Sequence, residues 1–164
     1  MSEALEGWTE FNVAMVGATA ALAGLLIVAM SVNIGEIMKS PTLPPRAAAS
    51  IATLVLAIVA GALGLMPGQS AWAYGAEVLV ATLAAAVFQV HAIRVISREA
   101  HISTGTRVLK AVSGLVPIGA FLAGAVLVLA GVAGAGLVAV AIGSVLAVVA
   151  AILMAWVVLV EVLR

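Results

Sequence analysis

The sequence predicts an all-α fold: an integral membrane bundle of five transmembrane helices, with the N-terminus outside and the C-terminus cytoplasmic. Three observations carry that prediction. First, 65% of the 164 residues are hydrophobic and 9% are charged, where an average soluble domain carries roughly 25% charged residues. Seven acidic and seven basic side chains cannot cover a soluble protein of this size, so hydrocarbon is the expected solvent. Second, the apolar stretches are continuous rather than alternating, which argues against a β-barrel, the other structure that satisfies its backbone in lipid. Third, every basic residue falls on one side of the hairpins that these stretches form.

Five stretches reach the roughly 20 residues that a crossing needs. They run about 11–32, 47–66, 72–93, 111–130 and 137–160, within a single membrane domain covering 1–164. The third holds one charge, Glu77, and the others none. The 50 residues from Ala111 to Val160 carry no charge at all. As one helix they would extend roughly 75 Å, more than twice a bilayer core. They must fold back, and Gly131, Gly134 and Gly136 mark the expected turn. Pro67-Gly68-Gln69-Ser70-Ala71 is the second short, uncharged turn. Pro117 removes one backbone hydrogen bond from the fourth helix and predicts a kink there.

The two longer connections are polar, and with the chain end they hold all the basic residues: Lys39 and Arg46, then Arg94, Arg98, Arg107 and Lys110, then Arg164. The positive-inside rule makes that side cytoplasmic. Opposite it lies an N-terminal tail with Glu3, Glu6 and Glu10 and no Lys or Arg, the reverse of a signal peptide's basic start. Trp8, Trp72 and Tyr74 are expected at the outer interface and Trp156 at the inner one.

Several chemistries find no support. The chain has no cysteine and no aspartate, no glycine-rich phosphate loop, no Ser-His pair within a span and no paired carboxylates, so no catalytic constellation is visible and no cofactor is implied. His91 and His101 lack a third plausible ligand, so no metal is expected. Zero net charge without a basic tract argues against nucleic acid as a partner.

Small residues recur at helical spacing, which lets backbones approach closely in lipid. Ala139, Gly143, Ala147, Ala151 and Ala155 line one face of the fifth helix. Ala49, Thr53, Ala57 and Gly61 do the same on the second, and Gly17, Gly24 and Ser31 on the first. Such faces pack either within one protomer or between subunits.

Glu77 is the candidate ion or polar site, with Asn12 and Gln69 expected near the same depth. An ionisable group at the centre of a span costs on the order of 2.5–3.5 kcal/mol, and less near an interface. Either it serves a proton, ion or substrate, or it snorkels outward and fixes packing through a hydrogen bond. Gln89, His91 and Arg94 lie at the cytoplasmic end of the same helix. Fourteen residues, about 21 Å, keep His91 from touching Glu77. Arg46, Arg94, Arg98, Arg107 and Lys110 form a candidate contact for lipid headgroups or a cytoplasmic partner, although topology alone accounts for their charge.

Several segments of the first half have a further reading. The small-residue run from Gly17 to Leu26, Asn33-Ile34, Leu43-Pro44-Pro45-Arg46-Ala47, Pro67-Gly68-Gln69 and Gly75-Ala76-Glu77 together resemble a group of small bacterial polytopic membrane proteins. Some of that group are labelled modulators of the membrane-bound protease FtsH. The resemblance implies a non-enzymatic accessory role in the bacterial cytoplasmic membrane and roles for Asn33, Arg46, Gln69 and Glu77.

The expected function is therefore helix association, as a homo-oligomer or an accessory subunit of a membrane complex. The alternative is a small channel or transporter for protons, ions or a small solute with Glu77 in its pathway. A water-filled path needs polar groups at several depths, whereas this chain concentrates them near the two interfaces. Single cysteines labelled in intact cells with an impermeant reagent test the topology. Positions 3, 68 and 134 should label and positions 39, 98 and 164 should not; labelling at 98 but not at 134 would overturn the orientation.

Overall fold

The computed structural model describes residues 3–98 and 104–162. Its elements are α1 (Glu3–Glu6), α2 (Thr9–Val32), α3 (Ile34–Ile37), α4 (Leu43–Gly64), α5 (Ala71–Ser97), α6 (Thr104–Leu129) and α7 (Ala133–Val162). The described residues include no strand. His101 and Arg164 lie outside the described residues, as do the side chains of Arg107, Lys110 and Ser113.

The five long helices coincide with the five apolar stretches, and their ends differ for local reasons. The second helix starts at Leu43 rather than Ala47 because Pro44 and Pro45 sit in its first turn, where a missing N–H has no intrahelical partner to lose. The third runs on to Ser97 and the fourth begins at Thr104, so both extend through polar sequence beyond the apolar stretch. The fifth starts at Ala133. Gly134 and Gly136 are therefore helical, and the turn is centred on Gly131, whose φ of 85° suits glycine. Gly68, with φ 75°, turns the α4–α5 hairpin. Ser70 then caps α5, its Oγ accepting from the Ala73 N–H at 3.1 Å. Asn33 closes α2 by donating from Nδ2 to the Ala29 carbonyl at 2.9 Å, satisfying one of the carbonyls that a helix end leaves open.

Helices α4, α5, α6 and α7 pack in that order around a ring, with α2 laid on the outside against α4 and α7. Short connections make consecutive helices antiparallel. One end of the bundle therefore carries both glycine hairpins, and the other carries Lys39, Arg46, Arg94 and Arg98. The core runs along the ring through Leu56, Tyr74, Val78, Phe121, Ala125 and Ala147, and Leu5 of α1 caps it at the hairpin end. Tyr74 is 2% exposed. It faces the interior beside Gly64, because its position on α5 points into the ring. Trp72, at 68% exposure, does face outward.

The outer surface is apolar: Val80, Leu83, Val87 and Phe88 on α5, and Ile142, Val149, Ile152 and Leu153 on α7, are all exposed. A continuous surface of this kind requires an apolar solvent or partner. Helices α2, α4 and α5, and residues 133–160 of α7, are long and apolar enough to cross a membrane. In α6 the apolar part among the described residues is Gly114–Leu129.

The tightest seam joins α6 to α7. A Cβ at Gly124 would lie 2.8 Å from the Gly136 carbonyl oxygen and 2.9 Å from the Val140 nitrogen; one at Gly136 would lie 2.8 Å from the Gly124 oxygen. The two backbones touch, and Val140 and Val128 close over the two glycines from opposite helices. Farther along the same seam, Phe121 covers Gly143, and a Cβ there would meet its ring at 3.0 Å. The Ala139–Ala155 face of α7 is thus turned inward, with Gly143, Ala147 and Ala151 buried. Overpacking costs about 1–3 kcal/mol or more, so Gly124→Ala and Gly143→Leu should each lower unfolding stability in mild detergent by that order. Gly119 has nothing within 4 Å, and Gly119→Ala should be neutral or stabilising by up to about 1 kcal/mol. Thermal unfolding of the three variants checks this; a Gly119→Ala protein weaker than Gly124→Ala would put the seam on the wrong face.

Candidate functional site

Polar side chains inside the bundle fall into three groups. Near the hairpin end, Gln69 and Glu77 pair: Gln69 Nε2 donates to Glu77 Oε2 at 2.5 Å. Gln69 is 7% exposed, whereas Glu77 faces the outer surface. The turn at Gly68 folds Gln69 back over the first turns of α5, and Glu77 lies about 9 Å along that helix from Ala71. The carboxylate thus has one fixed donor and one open side.

Asn12, expected beside them, is elsewhere. It is buried where α2 crosses α4, with its amide nitrogen seated over Gly64, where a Cβ would lie 2.5 Å from it. It borders a void of about 10 Å³ shared with Tyr74 and Ser144, at the lower limit for a single water. The three residues expected to form one site are therefore a pair, of which Gln69 is buried and Glu77 exposed, and a separate packing amide.

The second group consists of hydroxyls at middle depth. Thr19 donates to the Met15 carbonyl, Thr53 to Ala49, Thr82 to Val78 and Ser144 to Val140, at 2.6–3.1 Å. Each spends its proton on its own helix one turn back.

The third group lies toward the basic end, on the axis of the ring. A cavity of about 60 Å³ is bordered by Arg46, Ser50 and Thr53 of α4, Gln89 of α5, Gly114 and Pro117 of α6, and Ala147, Ala150 and Met154 of α7. By the same measure a water needs about 10–15 Å³, so there is room for several. The cavity exists because its walls are small. Gly114 admits the Gln89 side chain, whose amide occupies the place a Cβ would take. Pro117 brings no N–H to the carbonyl one turn before it. Positions 46, 50 and 53 share one face of α4 by the i, i+4, i+7 rule. Thr53 and Gln89 are buried and Arg46 is half-buried. The Ser50 Oγ is closed to solvent and has no hydrogen-bond partner.

Sequence reasoning named five of these residues separately: Arg46 as a topological anchor and candidate headgroup or partner contact, Thr53 and Ala147 as parts of small stripes, Gln89 as part of an interfacial cluster, and Pro117 as a kink. It missed Ser50 and Gly114. Gln89 parts from its neighbours because 200° of helical rotation separates it from His91, which is exposed together with Arg94 and Arg98. Gly17 and Gly24 of α2 meet nothing within 4 Å, so within the protomer their face is uncovered. Among the described residues no group of three or more His, Cys, Asp or Glu side chains stands together. No family model matches the chain, and no curated protein or solved structure is similar to it.

The Gln69–Glu77 pair yields a stability prediction. Glu77→Gln keeps an oxygen to receive the Gln69 amide and should change unfolding stability by less than about 1 kcal/mol. Glu77→Leu strands that buried amide and should cost about 1–3 kcal/mol. Equal stabilities of the two variants in detergent unfolding would show that the hydrogen bond carries no weight.

Proposed function

We propose that this protein crosses a bacterial cytoplasmic membrane five times, N-terminus outside and C-terminus inside. There it acts without enzymatic chemistry, by helix association, as a homo-oligomer or an accessory subunit of a membrane complex. The observation behind the association reading is the open face of α2. Of its apolar window only 17% is buried, against 50% in α4 and 44% in α7. Its outward side presents Gly17, Gly24 and Ser31. Gly75, Gly124, Gly136 and Gly143 of the ring each receive a side chain from a neighbouring helix, whereas Gly17 and Gly24, like Gly119 on the outside of α6, receive none. Small residues turned to the outside leave a shallow track in which a second helix can lie close, and close approach is the main source of affinity between helices in lipid.

The orientation rests on the basic end. Lys39, Arg46, Arg94 and Arg98 gather at one end of the bundle, and the positive-inside rule places that end in the cytoplasm. The fifth span is α6: its apolar segment Gly114–Leu129 is about 24 Å long as a helix, and the polar turns before it supply the remainder. The resemblance of the first half to small membrane proteins labelled modulators of FtsH fits an accessory role, which makes a membrane protease one partner to look for.

Channel or transporter function gains less support. Glu77 is paired near one end, and the hydroxyls at middle depth have spent their protons on their own helices. Between the two ends the axis is filled by Tyr74, Val78 and Phe121.

Native mass in mild detergent tests the association reading. Gly17→Leu combined with Gly24→Leu should leave the unfolding midpoint of the protomer unchanged and reduce the native mass or release a copurifying chain. A mass equal to one chain for both proteins, together with proton or cation flux in vesicles that Glu77→Gln abolishes, would replace this reading with the transporter.

A further inference from the structure

We propose that the cavity on the axis of the α4–α7 ring is a binding site for a small oxyanion, a carboxylate or a phosphate, reached from the basic end. Four side chains determine the chemistry. Arg46 brings a guanidinium whose five N–H donors can serve an oxyanion alongside its contact within the chain. Ser50 brings a hydroxyl that is buried without a partner. An unmet buried polar group is costly, and an incoming oxygen acceptor would relieve it. Gln89 brings an amide held against α6 by the notch at Gly114. Thr53 has already given its proton to Ala49 and offers lone pairs only. The donors thus outnumber the acceptors, and among the described residues that border the cavity the charged one, Arg46, is positive. The bordering residues from α6 and α7 (Gly114, Pro117, Ala147, Ala150 and Met154) contribute no carboxylate.

Size and position narrow the ligand further. About 60 Å³ accommodates a compact anion with a few waters and excludes a nucleotide. The cavity is bordered by residues of all four ring helices, with Arg46 at its basic-end border, which gives a route along the axis past Arg46. That geometry favours a dissolved anion, although an anionic lipid headgroup presents the same chemistry. The site is independent of the association reading, since none of its residues lies on α2.

The test uses the full-length protein in phosphatidylcholine nanodiscs. Thermal unfolding is followed against sodium acetate and sodium phosphate, with sodium chloride at matched ionic strength as the reference. Acetate or phosphate should raise the midpoint saturably above chloride. Ser50→Ala removes one donor to a charged ligand and should weaken that response about tenfold. Removing an unpartnered buried hydroxyl should not harm the ligand-free fold, so Ser50→Ala remains informative if Arg46→Gln fails to fold. Ala147→Leu, which fills the cavity from α7, should abolish the response, and the folded state of each variant is checked by its chloride-reference transition. A parallel series in phosphatidylglycerol nanodiscs separates the sources. Saturation there without added anion, lost in Ser50→Ala, assigns the site to a lipid headgroup. No response to either anion or to phosphatidylglycerol, or a response unchanged in both Ser50→Ala and Ala147→Leu, would overturn the proposal.

Discussion

The contact on which the bundle most depends is the meeting of two bare backbones at Gly124 and Gly136. In water, burial of apolar side chains would hold two such helices together almost regardless of detail. In hydrocarbon that drive is absent, because a lipid tail is as apolar as leucine, and association relies on close packing. The α6–α7 hairpin obtains that packing by removing side chains where the helices cross. Val140 then fills the notch at Gly124 and Val128 the notch at Gly136. The pairs 121 with 143, 124 with 140 and 128 with 136 are all centred on position 132, beside the turn at Gly131. Turn and seam therefore specify the same register. Val128 also covers Gly75 of α5, which ties the hairpin to the rest of the ring.

Hydropathy made the five helices legible because continuous apolar runs of about 20 residues have few other uses. Helix ends were less legible. Apolarity locates the part of a helix that lipid can solvate, whereas hydrogen bonding decides where the helix stops. Pro44 and Pro45 look like a break in a hydropathy reading, yet a first turn accepts them. Gly134 and Gly136 look like a turn, yet only Gly131 has the positive φ of one. Gly136 belongs to the seam, and the available hint was its position six residues after 130, as Gly124 lies six before.

The candidate sites were legible only in part, for a related reason. Residue type suggested that Asn12, Gln69 and Glu77 would act together, since all three were expected near one depth. Depth is only one coordinate; the face of the helix is the other. Glu77 points outward and meets Gln69, while Asn12 points inward over Gly64. Likewise Gly17 and Gly143 look alike as members of small-residue stripes, but Gly143 is covered by Phe121 and Gly17 by nothing. The positions 46, 50 and 53 did carry a signal, three polar side chains on one face of an apolar helix. Arg46 was grouped with the other basic residues as a headgroup or partner contact, and its charge had a sufficient explanation in topology, so it was not set beside Ser50 and Thr53.

The interior polar groups differ in what they have left to offer. A hydroxyl that bonds the carbonyl one turn back is inert toward a ligand's acceptors, and Thr19, Thr82 and Ser144 are all of that kind. They let a helix carry a polar residue in the core at little cost, and their donors are no longer available to form a path. Toward the basic end the balance changes. Ser50 keeps its proton, Gln89 is held in place by a glycine notch, and Arg46 adds charge beside them. Walls of alanine and glycine keep the space open where larger side chains would have closed it. A core built only for stability would fill that volume, because voids cost dispersion contacts and buried donors cost more than apolar atoms. The bundle fills its axis at Tyr74, Val78 and Phe121 and leaves it open beside Arg46, so the departure from close packing coincides with the unspent donors.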